Sequence, residues 1–144
     1  MANPQDVVKF LNNVQLFQTL KKHQLELLAK RFVEREYPAG KEIVTQGQGG
    51  EGFFIVVSGK LDVIREKTDG TKTIVNQMGP GDFLGELALL DNGIRTATAI
   101  TKEPTKCLVL ARWDFIAALR EDADMAVTIL EELARRFRLA LDVL

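Results

Sequence analysis

GPGDFLGELALLDNGIRTATA, residues 79–99, is the stretch on which the rest of the chain turns. It opens on a Gly79-Pro80-Gly81 turn, places a further glycine at Gly85 and runs through the helix-prone Glu86-Leu87-Ala88-Leu89-Leu90. It then loops at Asn92-Gly93 and brings Arg95 to the start of a strand. Backbone N–H groups at the start of such a turn suit an anion, and Gly85 lets the main chain approach it closely. Arg95 completes the pocket, because its planar guanidinium grips two phosphate oxygens with charge-assisted bonds. Glu86 supplies an acceptor for a ribose hydroxyl. A nucleotide carrying both groups fits the pair; so does a plain Glu86–Arg95 ion pair that only steadies the loop.

Around this stretch, from Tyr37 to about Ala111, glycine and proline clusters such as Pro38-Ala39-Gly40 and Gly47-Gln48-Gly49-Gly50 alternate with short β-branched runs. The runs Ile43–Thr45, Phe53–Val57, Leu61–Ile64, Thr73–Val75, Thr96–Ile100 and Cys107–Leu110 predict many short strands, hence a barrel or sandwich. Ser58-Gly59 and Asp69-Gly70 are tight-turn dipeptides that predict at least two hairpins.

Both flanks read as helical. Asn3 caps a helix opened by Pro4 and carrying Val7, Val8, Phe10, Leu11 and Val14; a second helix is expected over Lys21–Val33 with Leu25, Leu27, Leu28 and Phe32 as its apolar stripe. Helix resumes at Trp113 or Asp114 and runs on from about Asp122, where Leu130, Leu133, Phe137, Ala140 and Leu144 are spaced three, four, three and four apart. Such a short heptad seam either packs on its own domain or forms a two-helix homodimer contact, and the second is favoured. The expected fold is α+β: an antiparallel β-roll, a double-stranded jelly-roll-like barrel, flanked by N-terminal and C-terminal helices. One domain is expected over 1–144, with helices at about 4–34, the roll at about 35–111 and C-terminal helices at about 112–144.

Composition narrows the function. Of 144 residues 46% are hydrophobic and 27% charged, ordinary values for a folded soluble chain. With 19 basic and 20 acidic residues the formal net charge is −1, so no global field draws the chain onto nucleic acid, and no direct nucleic acid contact is expected. No apolar run approaches the roughly 18 residues of a membrane span, and the N-terminus lacks a secretory pattern; a cytoplasmic protein without membrane contact is expected. His23 is the only histidine, which argues against a metal site, and Cys107 lies in an apolar strand without a histidine partner, as a packing residue. No catalytic residue, cofactor or enzyme activity is therefore expected. Trp113 and the eight phenylalanines are assigned to core mass, and the Arg135, Arg136, Arg138 group, offset by Glu131, Glu132 and Asp142, to a solvated face.

Gly85-Glu86-Leu87-Ala88-Leu89 followed by Arg95-Thr96-Ala97-Thr98 resembles the phosphate-binding cassette of the cyclic-nucleotide-binding domain family. Upstream, Tyr37-Pro38-Ala39-Gly40 with Ile43 and Gly47, and Phe53 to Gly59, are similar to the family's early strands, so that the likeness covers residues 35 to 120 or thereabouts. The resemblance implies a sensor domain that couples binding of cAMP, more than cGMP, to movement of its C-terminal helix, for an effector the sequence does not name. It assigns Glu86 to the ribose 2′-hydroxyl, Arg95 to the cyclic phosphate, the N–H groups of Leu87, Ala88 and Ala97 to the phosphate cradle, and Thr96 to phosphate or base. Two departures stand out: Ile94 replaces a frequent proline, and Ala140 and Leu141 stand where a family member presents hydroxyls to the base, leaving Arg135 or Arg136 as the candidate lid. The rival expectation is a ligand-free β-roll serving dimerisation or docking; a degenerate site of that kind usually lacks the acid or the arginine, and this chain keeps both.

Overall fold

The computed structural model describes residues 3–49, 52–91 and 93–143. Gly50, Asn92 and Leu144, which the sequence places in two turns and at the end of the heptad seam, lie outside the described residues. The elements run α1 (Pro4–Leu11), a 3-10 turn (Gln15–Phe17), α2 (Lys22–Ala29), β1 (Val33–Tyr37), β2 (Glu42–Val44), β3 (Gly52–Ser58), β4 (Leu61–Glu66), β5 (Lys72–Met78), β6 (Phe83–Leu84), α3 (Ala88–Asp91), β7 (Thr98–Thr101), β8 (Thr105–Ala111), α4 (Arg112–Glu121) and α5 (Ala123–Val143). They form two compact units: a sheet unit, Phe32–Arg112, and a helical unit made of the chain up to Arg31 and from Trp113 on.

The sheet unit has two four-stranded antiparallel sheets, in the orders β1-β8-β3-β6 and β2-β7-β4-β5. The ladders do not join into one closed barrel among the described residues, so the fold is a roll of two sheets. Among the described residues β4 and β5 are the only successive strands to pair with each other, through the Asp69-Gly70 turn, where Gly70 takes φ +88° and Thr71 N–H donates to Asp69 Oδ1 at 2.8 Å. The second expected hairpin is not one: Ser58-Gly59 carries the chain from β3 in one sheet to β4 in the other. Gly59 adopts φ +100°, and a Cβ there would lie 2.7 Å from both Pro104 O and Thr105 Cα, so the crossing is pressed against the β7–β8 crossing beside it. Turn chemistry fixes a local bend; the sheet the chain enters next depends on which face of each strand is apolar.

That alternation is visible in the packing. Phe54, Val56, Cys107 and Val109 from one sheet and Val44, Leu61, Met78 and Ala99 from the other form one buried cluster. Phe53, pointing the other way from β3, packs against Phe83 at a tilt and against Phe32 edge-on, with ring centroids 5.7 and 6.2 Å apart. Burial pushes the Cys107 thiol up to about 11, in keeping with a packing role.

In the helical unit Asn3 caps α1, its Oδ1 accepting from Gln5 N–H at 2.9 Å with Pro4 at the first position, and Val7, Val8 and Leu11 are buried. α2 stops at Ala29 rather than Val33. The following residues pair with β8 from Val33↔Val109 to Tyr37↔Thr105, and Phe32 joins the sheet unit, so long-range pairing overrides local helix tendency. Leu25 and Leu28 are buried as expected, while Leu27 is exposed. Gln24, itself buried, accepts from Lys21 N–H at 2.9 Å and donates to Asp122 Oδ2 at 3.4 Å; Asp122 Oδ1 in turn accepts from Met125 N–H and caps α5. Arg31 reaches Asp114 at 3.6 Å and Glu121 at 2.9 Å, both on α4. Phe17 and Phe115 pack with centroids 6.1 Å apart.

Trp113 is 73% exposed and is not core. Along α5 the buried line is Met125, Ile129 and Glu132, whereas Leu130 and Phe137 of the heptad seam are 63% and 65% exposed. No helix among the described residues is long and apolar enough to cross a membrane.

Candidate functional site

The sheet unit carries a cavity of about 460 Å³ between two pieces of one segment: residues 83–88, and Asp91 with residues 93–96. β6 delivers the first piece by pairing Phe83 and Leu84 with Ile55 and Phe54. At Gly85 the backbone turns to φ +88°, a conformation that disfavours any residue with a Cβ. The chain then winds into α3, with Ala88 N–H donating to Gly85 O at 3.1 Å and Leu89 N–H to Glu86 O at 3.3 Å. Leu89 is wholly buried and anchors the turn, while Glu86 stays half-buried and Leu87 exposed at the cavity. Gly93 N–H donates to Asp91 Oδ1 at 2.8 Å and turns the chain back toward Arg95.

Arg95 is the centre of the site. Its side chain is buried at 9% exposure, and Nη2 donates to Gly52 O at 2.5 Å. Its backbone is fixed on both sides, N–H donating to Gln48 O and O accepting from Gly47 N–H, each at 2.9 Å. A Cβ on Gly85 would stand 3.0 Å from Arg95 Nη2 and 2.5 Å from Gly52 O, with Nη1 nearer still. The guanidinium therefore occupies the space that glycine leaves free. A buried guanidinium on the wall of a cavity can hold an anion with short, charge-assisted bonds.

Gly85, Glu86, Leu87, Ala88, Arg95 and Thr96 thus come together around one cavity. Ala97 does not line it, and the Ala88 N–H, expected at the phosphate, already serves the turn. Arg135 and Arg136 belong to the helical unit, where Arg135 Nη2 bonds Glu132 Oε1 and Arg136 Nε lies 3.5 Å from Glu132 Oε2. His23 is exposed on α2. The Gly52 carbonyl was not anticipated; its one signal in the sequence is the density of glycine just before β3, and a Cβ at Gly52 would clash with the Leu110 carbonyl.

A two-sheeted roll with a buried arginine under a glycine turn is a scaffold suited to holding an anion. A family model for the cyclic nucleotide-binding domain matches residues 34–122, and the chain belongs to that family. It is 38% identical over 132 residues to the cyclic AMP receptor protein of Thermus thermophilus, a match covering 90% of this chain and 61% of that protein. Among solved structures, the N-terminal domain of a transcriptional regulator from Streptomyces coelicolor superposes with a TM-score of 0.83 at 30% identity, over 92% of this chain and 95% of that one. The regulatory domain of Toxoplasma gondii PKA, crystallised with cAMP, gives 0.73 at 31% identity over 80% of this chain and 44% of that one. The chain thus spans less than two thirds of the Thermus thermophilus protein, and 55% of the length of the CRP-like cAMP-activated global transcriptional regulator of Mycobacterium tuberculosis, to which it is 28% identical over 123 residues.

Proposed function

We propose that the chain is a cyclic-nucleotide sensor that binds cAMP in preference to cGMP and answers by moving its C-terminal helix. The single observation that carries this reading is Arg95, buried on the cavity wall and held by the Gly52 carbonyl beneath a glycine that leaves it room. In this reading Arg95 pairs with the cyclic phosphate, Leu87 N–H adds a donor, Glu86 accepts from the ribose 2′-hydroxyl, and Thr96 borders the phosphate or base. The preference for cAMP rests on the names of relatives, the cyclic AMP receptor protein and a PKA regulatory domain crystallised with cAMP.

The domain works by binding, not catalysis, as one cytoplasmic regulatory domain without nucleic acid contact of its own, passing the signal to an effector. Response is a population shift, its energy supplied by the nucleotide's different affinities for two helix positions. Arg135 or Arg136 covers the base in the liganded position, and the exposed Leu130 and Phe137 meet their counterparts in a homodimer.

The test is isothermal titration of the chain, stripped of nucleotide under denaturing conditions, with cAMP and cGMP in parallel. Arg95→Ala should cost about 2–5 kcal/mol of binding, since it leaves the phosphate charge unmatched. A loss below about tenfold, near 1.4 kcal/mol, refutes the role of Arg95. Failure of the parent chain to bind either nucleotide favours the docking module instead.

A further inference from the structure

α3 lies between two arginines. Arg95 stands on the cavity side; on the other end of the turn Arg112 donates from Nη2 to Leu90 O at 3.2 Å. Carbonyls in the last turn of a helix lack an intrahelical partner, and a basic side chain satisfies them well. Leu87, Ala88 and Asp91 line the cavity, and Leu90 sits in the same short helix between them, so a shift of that turn carries its carbonyl along. Arg112 is also the residue at which β8 gives way to α4. A guanidinium moves as a rigid plate, so a displaced Leu90 carbonyl is felt at the first residue of α4. Arg112 Nε is buried without a hydrogen-bond partner, which leaves the plate a spare donor for a second arrangement.

We infer that Arg112 is a positioning residue that transmits the state of the nucleotide cavity to α4 through the Leu90 carbonyl, an inference that rests on the sensor reading above. Arg112→Met keeps the aliphatic length and removes the donors; Arg112→Lys keeps a charge and a single point of donation. Each variant is titrated with cAMP, and amide hydrogen exchange over residues 112–143 is measured with and without saturating cAMP. Arg112→Met is expected to bind cAMP within about tenfold of the parent while the cAMP-induced change in exchange over α4 falls by at least about fivefold, the lower end of ordinary coupling factors. Arg112→Lys should fall between the two, and it decides the matter should the methionine variant not fold.

A variant that binds and responds like the parent overturns the inference alone. A variant that loses binding as fully as Arg95→Ala overturns it too, because Arg112 would then support the cavity and not the transmission. If the parent itself binds cAMP with no change in exchange, helix movement falls and the inference falls with it.

Discussion

Replacing Gly85 with alanine separates two demands made on one position. The first is conformational: φ is +88°, and a side chain in that region costs about 1–2 kcal/mol. The second is spatial, because the new methyl would stand 2.5 Å from Gly52 O and 3.0 Å from Arg95 Nη2, the two ends of the bond that holds the guanidinium. Breaking a hydrogen bond to a charged group costs about 1.5–3 kcal/mol more. Gly81 supplies the control: its φ is +90° and a Cβ there meets nothing within 4 Å, so Gly81→Ala bears the conformational cost alone. Urea melts should therefore place Gly85→Ala about 1.5–3 kcal/mol below Gly81→Ala. Titration with cAMP should show Gly85→Ala weakened by about 10- to 150-fold, the same energy expressed as affinity, with Gly81→Ala near the parent. Equal destabilisation of the two variants, or parental cAMP binding by Gly85→Ala, would refute the claim that glycine is there to make room for Arg95.

Other consequences are as open to measurement. Phe54→Ala, at the centre of the two-sheet cluster, should lose about 3–5 kcal/mol in a denaturant melt, and a loss under about 1 would mean that the cluster closes around the gap. Gln24→Met should cost about 1–2 kcal/mol by removing the buried amide that serves Lys21 and Asp122; an unchanged melting temperature would show those bonds to be energetically idle. The Cys107 thiol, buried and pushed up to about 11, should react with a thiol reagent only as fast as the roll opens, and immediate labelling of the native chain would contradict its packing role. Lys106, hydrogen-bonded to Glu34 with N and O 3.1 Å apart, holds that carboxyl below its ordinary value of 4.5. A lowered carboxylate stabilises the fold above its unfolded value and loses that effect as pH falls through the folded one. Lys106→Met should thus return the Glu34 titration, followed by NMR, toward 4.5 and flatten the acid limb of stability; an unmoved titration would be the contrary result.

The cavity was legible because its lining comes from one stretch of sequence, residues 83–88 and Asp91 with residues 93–96, and the chemistry of Glu86 and Arg95 is stated by their side chains. What holds Arg95 was not legible, since Gly52 contributes a backbone carbonyl from far upstream and no side chain. Phe32 has helical spacing after Leu25 and Leu28, yet the ring it packs on, Phe53, sits in a strand that no local pattern connects with it. Ser58-Gly59 was read correctly as a bend and wrongly as a hairpin, because a dipeptide carries no record of which sheet receives the chain. The buried line of α5 escaped notice for a different reason: it contains Glu132, and a carboxylate does not signal burial unless its partners, here Arg135 and Arg136, are seen beside it.

The strand order sets a schedule for folding. β8 lies between β1 and β3, so β1 has no partner and β3 only the two-residue β6 until the chain up to Ala111 is available. Only the β4–β5 hairpin is local, while the register that joins Val33 to Val109 closes a long loop whose entropy has to be met before the ladder returns anything. On a ribosome, the hairpin can form early, but the sheet that positions Gly52, and with it the arginine pocket, waits until nearly the whole roll has emerged. A chain cut anywhere before β8 would expose β3, its most apolar strand, with an open edge, and such fragments should aggregate rather than persist as partly working sensors.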